Sequence, residues 1–376
     1  MAWSAHKDDE QIREHFVDSD TLDRQAAELA DLIRRSRHVV AFTGAGVSTS
    51  AGIPDFRGPN GVWTLRAKGE TCVSRTSTAQ AVPTKTHMSL VALERQGQLH
   101  FLISQNCDGL HRRSGFDTTK LAELHGNSNL DLCRACGREY LRDFRCRRQV
   151  TNGVHDHMTD RKCVCGKYLY DTIVNFGEGL PHKPLNDAYQ HSKHSDLFIV
   201  LGSSLTVSPA NDMPQEAVNR GAKLVICNLQ KTPYDQLSSL RIFAKTDDLM
   251  ERVMCKLGVP IADWLLRRRV KVTNQNNKIN IAGIEPDGIP ASIFAKVKLV
   301  DNTNREQVIQ HEPFTFAFNR SQCPMVIHLY FIGHYNEPKC KLKIDSSFLH
   351  DGGDQSVIYE LKFDPTTGQW REPVIA

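Results

Sequence analysis

Residues 38–49, His38-Val-Val-Ala-Phe-Thr-Gly-Ala-Gly-Val-Ser-Thr49, decide the fold class of this chain. A short apolar run rich in β-forming residues leads directly into Gly44 and Gly46, which let a backbone turn tightly and approach a phosphate group. Thr49 stands where the third glycine of the usual dinucleotide fingerprint would be. Taken alone, the loop is therefore weak evidence, and an ordinary turn is the more frequent outcome.

Similar apolar runs recur along the chain, and helical patterns separate them. The runs lie at 101–104, 197–201 and 224–227, and the helical patterns at 21–35, 88–96, 212–220 and 247–257. Strands alternating with helices predict an α/β fold, a doubly wound parallel Rossmann-like sheet covered on both faces.

Each predicted strand leads into a polar or glycine-rich loop. The loops are 43–49, 105–109, 202–204 and 228–230. Because the carboxyl ends of parallel strands line one crevice, the four loops predict a single ligand site. The stretch 52–58 adds Asp55, Phe56 and Arg57, either as a surface turn or as a flap over a planar ring and a phosphate. A single histidine such as His125 is usually structural, but the amide and carboxylate groups of Gln105, Asn106 and Asp108 favour a site beside it.

Composition and cysteine spacing indicate a globular intracellular protein. The chain has 376 residues, 40% of them hydrophobic and 24% charged, which is near the globular average, and its net charge is +4. The N-terminus has no apolar core of the kind that signal peptides carry, and no apolar run reaches the ~20 residues of a membrane span. The 11 cysteines are an odd number and unevenly spread, which favours a reducing compartment and one metal site over a disulfide framework.

Two cysteine pairs form the predicted metal site. Cys133 and Cys136 are separated by two residues, and Cys163 and Cys165 by one. Four thiolates suit a tetrahedral structural zinc without an open position for chemistry. Because the second pair is so tight, Cys146, His155 and His157 are alternatives to Cys165 as the fourth ligand.

The pattern predicts four segments. They are an N-terminal tail over 1–20, a catalytic domain over 21–260 with a zinc module inserted at about 131–170, a basic linker over 261–281, and a β-rich, sandwich-like domain over 282–376. The basic cluster 267–271 is either a nuclear localisation signal or a common surface run. The C-terminal domain carries no cluster of chemical residues, so a partner-binding role and a stabilising role stay open for it.

Seven motifs in order resemble those of the sirtuins, the Sir2 family. They are Gly-Ala-Gly-x-Ser (44–48), Gly-Ile-Pro-Asp-Phe-Arg (52–57), Gln-Asn-x-Asp-Gly-Leu (105–110), His-Gly-Asn (125–127), Phe-Gly-Glu (176–178), Gly-Ser-Ser (202–204) and Asn-Leu-Gln (228–230). They span roughly two thirds of the chain. Residues 59–65 and 171–173 resemble the nuclear class IV branch.

The resemblance implies an NAD-dependent protein lysine deacylase. Its products would be free lysine, nicotinamide and O-acyl-ADP-ribose, and its cofactors NAD and zinc. It implies His125 as the general base, with Asn106 and Asp108 holding the nicotinamide amide and ribose. The implied substrate-binding strand contains Val174, Phe176, Gly177 and Glu178. The implied cofactor-binding positions are Gly44, Ala45, Gly46, Ser48, Thr49, Asp55, Phe56, Arg57, Trp63, Gln105, Asn106, Asp108, His125, Gly202, Ser203, Ser204, Asn228, Leu229, Gln230 and Thr246.

The same resemblance implies a nuclear protein that acts on histones or other chromatin proteins. Basic side chains in and beside the zinc module predict contact with a nucleosome or DNA, although a solvated basic face is an equal alternative. These residues are Arg134, Arg138, Arg142, Arg145, Arg147, Arg148, Arg161, Lys162 and Lys167. Two other functions remain: ADP-ribosyl transfer to a protein, and a catalytically weak chromatin-binding module.

Overall fold

The computed structural model describes residues 9–72, 76–149, 152–276, 278–285, 288–318, 323–344 and 355–376. The first eight residues of the predicted tail, Asn277 of the predicted linker and parts of the predicted β-rich domain lie outside these ranges. The chain divides into two compact units. The first comprises Met1–Ser128 and Thr172–Trp264, and the second comprises Asn129–Asp171 and Leu265–Ala376. None of the described helices has the length and apolarity needed to cross a membrane.

The described α-helices belong to the first unit. They are α1 (Asp9–Ile12), α2 (Ser19–Arg35), α3 (Val62–Ala67), α4 (Lys85–Arg95), α5 (Leu110–Arg113), α6 (His182–His194), α7 (Asp212–Asn219) and α8 (Thr246–Leu257). Short 3-10 helices cover Ala45–Ala51, Thr118–Lys120 and Asp235–Leu237.

The strands are numbered along the whole chain. They are β1 (Val39–Thr43), β2 (Phe101–Ser104), β3 (Leu121–Glu123), β4 (Leu130–Leu132), β5 (Glu139–Arg142), β6 (Met158–Lys162), β7 (Tyr168–Asp171), β8 (Leu197–Leu201), β9 (Lys223–Cys227), β10 (Leu240–Ile242), β11 (Leu266–Gln275), β12 (Lys278–Ile284), β13 (Pro290–Ser292), β14 (Phe294–Val300), β15 (Glu306–Ile309), β16 (Phe314–Ala317), β17 (Met325–Phe331), β18 (Cys340–Ile344), β19 (Gln355–Asp364), β20 (Gln369–Trp370) and β21 (Val374–Ile375).

The first unit contains a parallel sheet with strand order β10-β9-β8-β1-β2-β3. Alternate residues of β1 enter two cores: Val39 and Ala41 pack in the cluster that contains Leu29 of α2, and Val40 and Phe42 pack in the cluster that contains Met213 of α7. Burial on both faces explains why β1 is continuously apolar. The doubly wound parallel sheet predicted from the sequence is confirmed.

Strand β1 marks the topological switch point of this sheet. Later strands extend from it in opposite directions, β2 and β3 on one side and β8 to β10 on the other. In open α/β sheets a ligand binds beyond the carboxyl ends of the strands where the order reverses. The loops that follow β1 and β8 are therefore the expected centre of a site.

The second unit contains two β-sheets that share one core. One sheet has the path β20-β19-β11-β12-β13-β5-β4-β7-β6, with β16 paired to β12 and β21 to β19, and the other has the order β15-β14-β17-β18. Residues of both sheets, such as Val272 and Leu299, belong to the same apolar cluster, as a sandwich requires. Strand β5 of the cysteine-bearing segment pairs with β13, so that segment groups with the C-terminal strands.

The segment predicted as a basic linker, residues 261–281, instead contains β11 and the start of β12. Strand β11 pairs with both β12 and β19, and its alternate residues Leu266, Arg268, Val270 and Val272 are buried. Charged side chains hide this alternation in the sequence, because the buried Arg268 occupies an apolar position of the pattern. Its guanidinium lies 2.6 Å from Asp143 and 3.4 Å from Glu337.

Candidate active site

The loops after β1 and β8 touch each other through glycine. The amide of Gly46 donates to the carbonyl oxygen of Gly202 at 2.9 Å, and the amide of Gly44 donates to that of Leu201 at 3.1 Å. A Cβ atom on Gly44 would lie 2.6 Å from the Gly202 oxygen, and one on Gly46 would lie 2.7 Å from the Gly202 Cα. The two loops can approach this closely only because Gly44, Gly46 and Gly202 have no side chains.

The loop after β2 bonds to the glycine loop through three side chains. Ser48 Oγ donates to Asp108 Oδ2 at 2.7 Å, and Asn106 Nδ2 donates to the Gly44 carbonyl oxygen at 3.0 Å. All three side chains are buried. Because buried polar groups are costly unless they have partners, this network holds the loops in one arrangement.

His125 lies beside this network, and one of its two ring nitrogens is hydrogen-bonded to the backbone. Its Nδ1 is 2.9 Å from the carbonyl oxygen of Gln105, which can only accept, so Nδ1 carries the proton and Nε2 is the basic nitrogen. Burial lowers the pKa of His125, and the bond to Gln105 offsets part of that effect. The imidazole is therefore neutral near pH 7. Ser203 Oγ donates to Gln105 Oε1 at 2.8 Å, so the loop after β8 is bonded to the residue that holds the His125 ring.

The residue after His125 brings the chain segment 172–175 against it. Gly126 has φ +75°, and a Cβ there would lie 1.8 Å from the Thr172 carbonyl oxygen. The Val174 amide donates to the carbonyl oxygen of His125 at 3.1 Å. Residues 174–178 were expected to form a strand, but in the described structure they form an irregular segment with a turn at Phe176 and Gly177, and Glu178 Oε2 accepts from the Asn175 amide at 2.7 Å.

The segment 55–63 forms an aromatic cluster with Phe176. Asp55 caps the turn by accepting from the Gly58 amide at 3.1 Å, and the Trp63 amide donates to the Phe56 carbonyl oxygen at 2.8 Å. The rings of Phe56 and Trp63 stack at 6.0 Å, and Trp63 lies 6.3 Å from Phe176. Phe56 and Phe176 are 46% and 43% exposed, so flat apolar surface faces solvent here.

The loop after β9 connects to this segment through Gln230. Its Nε2 donates to the Arg57 carbonyl oxygen at 2.9 Å, and Asn228 Nδ2 donates to the Gln230 carbonyl oxygen at 3.0 Å. Arg241, which was not among the predicted site residues, donates to the carbonyl oxygens of both Asn228 and Gln230. No motif surrounds Arg241 in the sequence, and its position in the middle of the short strand β10 gives no sign that it holds this loop.

The remaining predicted residues lie around the same edge of the sheet. Ala45 and Thr49 are in the 3-10 helix, where Thr49 Oγ1 donates to the Gly46 carbonyl oxygen at 3.0 Å. Ser204 Oγ lies 3.0 Å from Thr206 Oγ1, and the Leu229 carbonyl oxygen accepts from the His15 amide at 2.8 Å. Thr246 begins α8, where its hydroxyl accepts from Thr86 Oγ1 at 3.0 Å.

The second unit holds a four-cysteine cluster. The sulfur atoms of Cys133, Cys136, Cys163 and Cys165 all lie within 4.8 Å of one another. The distance from Cys133 to Cys165 and the distance from Cys136 to Cys163 are both 3.6 Å. Zn–S bonds of 2.3 Å place the sulfurs of a tetrahedral site about 3.8 Å apart, so the set fits zinc.

The alternative fourth ligands lie outside this cluster. His157 Nδ1 is 3.1 Å from Asp171 Oδ1, and Cys146 is a buried thiol whose pKa burial raises. None of the three alternatives, Cys146, His155 and His157, belongs to the group of ligand atoms around Cys133. Among the described residues, this cysteine group is the one whose ligand atoms come together in this way.

Comparison with known proteins identifies the family. A Sir2 family model matches residues 68–209. The chain is 45% identical over 258 residues to the Arabidopsis thaliana protein named NAD-dependent protein deacetylase SRT1, covering 68% of this chain and 54% of that protein. It is 41% identical over 257 residues to Drosophila melanogaster Sirt6, also named an NAD-dependent protein deacetylase, covering 67% of this chain and 81% of that protein.

A solved Sir2 structure has the same fold. It contains a histidine-to-alanine variant with deacetylated p53 peptide and 3'-O-acetyl ADP ribose, and it matches with a TM-score of 0.50 and 34% sequence identity over 62% of this chain and 98% of that one. The chain spans about half the length of the Arabidopsis relative. The resemblance to the class IV branch agrees with the match to Sirt6. With its parallel sheet, its four converging loops and these relatives, the chain belongs to the Sir2 family.

Proposed function

We propose that this protein is an NAD-dependent protein lysine deacylase. The observation that carries the proposal is the position of His125, whose basic Nε2 belongs to a neutral imidazole held next to the polar network of Ser48, Asn106 and Asp108. The names of the Arabidopsis and Drosophila relatives, both NAD-dependent protein deacetylases, support the same activity.

The site offers the donor set that a dinucleotide requires. NAD, when bound, supplies a ribose carbon from which nicotinamide can leave. The glycine contact between the β1 and β8 loops and the 3-10 helix that begins at Ala45 would face its phosphates. Asn106 and Asp108 would orient the nicotinamide amide and ribose, and Gln230 and Asn228 would hold the other nucleoside.

His125 would act as the general base that removes a proton from a ribose hydroxyl. The lowered pKa keeps Nε2 unprotonated near pH 7, and the fixed Nδ1–H bond to Gln105 prevents the ring from flipping. The aromatic cluster of Phe56, Trp63 and Phe176 would exclude water from the acyl-lysine arm, and the segment 174–178 would bind the substrate backbone.

Incubation with labelled NAD and acylated histone peptides tests the activity. Deacylation yields free lysine, nicotinamide and O-acyl-ADP-ribose in equal amounts, which is the expected result. Labelled protein without deacylated peptide would replace the proposal with ADP-ribosyl transfer, and the absence of both products would leave a binding module.

We further propose that Cys133, Cys136, Cys163 and Cys165 bind a structural zinc. All four ligand positions are taken by thiolates, so no position is left for a substrate or a water molecule. Metal analysis of the purified chain should give one zinc per chain, and a Cys165→Ser variant should hold it more weakly; metal retention equal to the wild type would instead assign a different fourth ligand.

We also propose a nuclear protein whose substrates include histones and that contacts a nucleosome or DNA. Support comes from the relationship to Sirt6 and from exposed basic residues of the zinc module such as Arg134, Lys162 and Lys167. Other basic residues of this module have carboxylate partners: Arg142 and Arg161 bond to Asp131, and Arg148 bonds to Asp156.

Residues 267–271 give little support as a linear localisation signal, because Arg268 is buried. A fluorescent fusion of the full chain that stays outside the nucleus would contradict this assignment.

A further inference from the structure

The outer face of the sheet β15-β14-β17-β18 is crowded with lysine. Alternate residues of these strands, such as Val297, Ile327 and Leu342, are buried in the core of the second unit. The intervening residues are exposed or partly exposed. We call their basic and aromatic members, with the adjoining Lys339, the lysine face: Lys296, Lys298, His328, Tyr330, Lys339, Lys341 and Lys343.

The register of the sheet places basic residues opposite one another. Lys298 pairs with His328, and His328 pairs with Lys341, so a row of basic side chains crosses three strands. In the next row Lys296 pairs with Tyr330. Within these four strands Glu306 is the sole acidic residue, and its carboxylate forms an ion pair with the ammonium group of Lys298.

The centre of the lysine face shows the effect of this crowding. Burial lowers the pKa of His328, and the charges of Lys341, Lys298 and Lys339 lower it further. The Nδ1 atom of His328 is buried and has no hydrogen-bond partner in the described structure. Apart from the ion pair of Lys298 with Glu306, the four strands bring no acidic residue to this face, so it carries an excess of positive charge that suits an anionic partner.

We propose that the lysine face binds the phosphate backbone of single-stranded nucleic acid. The lysines lie on β14 and β18, on either side of β17. Lysines two residues apart on one strand are separated by roughly 7 Å, and the two lysine-bearing strands by roughly 10 Å, which gives two rows of cations between which a chain of phosphates can lie. Tyr330, whose ring lies 4.3 Å from Lys296 Nζ, offers a surface on which a base can stack. Stacking on this ring requires a base that is not paired in a duplex, which favours single strands.

This inference concerns the C-terminal strands and is independent of the proposed deacylase chemistry. The test is fluorescence anisotropy with the full chain and labelled oligo-U and oligo-dT of about 20 nucleotides, titrated from about 50 to 200 mM salt. The binding variant carries Lys296→Gln, Lys341→Gln and Lys343→Gln. The control carries Lys183→Gln, Lys193→Gln and Lys223→Gln, which removes the same charge from exposed positions of the first unit.

The binding variant should lose at least about tenfold in affinity, and its plot of log K against log salt should be shallower by about two, while the control stays within about twofold of wild type. Tyr330→Ala should weaken binding, and Tyr330→Phe should not. Equal losses in both triple variants, preference for duplex DNA, or binding to phosphatidylserine vesicles in place of oligonucleotides would each overturn the proposal. Peptide deacylation, measured on the same samples, separates failure of this face from failure of the enzyme.

Discussion

Two buried histidines, His87 and His111, support the loop that follows β1. The rings of His87 and His111 are 4.6 Å apart. His111 Nε2 lies 2.8 Å from Thr43 Oγ1 at the end of β1, and His87 Nδ1 lies 2.8 Å from Thr84 Oγ1, which itself donates to the Val47 carbonyl oxygen. Burial lowers the pKa of each histidine to about 3. Both imidazoles are therefore neutral in the folded chain over most of the acid range.

This pair predicts a loss of stability in acid. In the unfolded chain both histidines take up protons below about pH 6.5, whereas in the folded chain they do not until about pH 3. Their contribution is present above pH 6.5 and falls as the pH drops towards 3, by up to about 1.4 kcal/mol per group per pH unit. Urea unfolding measures this change in the free energy of unfolding when it is carried out above about pH 6.5 and again between about pH 6.5 and 3.

The variant for this experiment is His111→Gln, which replaces the imidazole near Thr43 by a polar amide that does not titrate. It should lose less stability than wild type between neutral and acid pH. The exposed His194→Gln change serves as control and should behave as wild type. An identical pH dependence in wild type and His111→Gln would show that the buried pair does not control acid stability.

At the scale of elements, the contact between the β1 and β8 loops sets the geometry of the site. Gly46→Ala would place a methyl group 2.7 Å from the Gly202 Cα, which is backbone and can move only if the loops separate. Separation of the loops would misplace the backbone groups that face the phosphates. We therefore expect calorimetry to show a loss of at least about tenfold in NAD affinity, which corresponds to about 1.4 kcal/mol of binding free energy. Gly179→Ala, where a Cβ meets no atom within 4 Å, is the control. NAD affinity unchanged in Gly46→Ala would contradict this account of the loop.

The elements that were predictable are those with an uninterrupted apolar signal. Strands β1, β2, β8 and β9 lie where their apolar runs predict them, and β14, β17 and β18 lie within the region predicted to be β-rich. Strands β3 and β10 have three residues each at the edges of the sheet, which is too short for a pattern. Strand β11 was hidden because Arg268 is buried through its ion pair with Asp143 rather than through apolar contacts.

Site residues within sequence motifs were predictable, and their supporting residues were not. The polar loops at the strand ends meet at one edge of the sheet, as parallel topology requires. Arg241, Thr84 and Thr172 contact this site through single side chains, and such long-range contacts depend on packing rather than on any local pattern.

At the scale of the whole molecule, the cysteine cluster belongs to the same unit as the C-terminal strands. Strand β5 pairs with β13, and Arg268 of β11 bonds to Asp143, which follows β5. Metal removal should therefore destabilise more than the cysteine loops. Hydrogen exchange after chelation should show faster exchange in β11 and β13 as well as in β4 to β7, with the strands of the first unit, such as β1, as internal reference. Unchanged exchange in β11 and β13 would show that the two parts of this unit fold independently.

The central claim is that converging loops hold the His125 imidazole as the base beside bound NAD. The most direct measurement compares wild type with His125→Ala in NAD binding and in deacylation of an acetylated lysine peptide. We predict NAD affinity within about threefold of wild type and a loss of at least about a hundredfold in turnover, since a positioned general base contributes about 10²–10⁴ in rate. Turnover equal to wild type in His125→Ala would contradict the account.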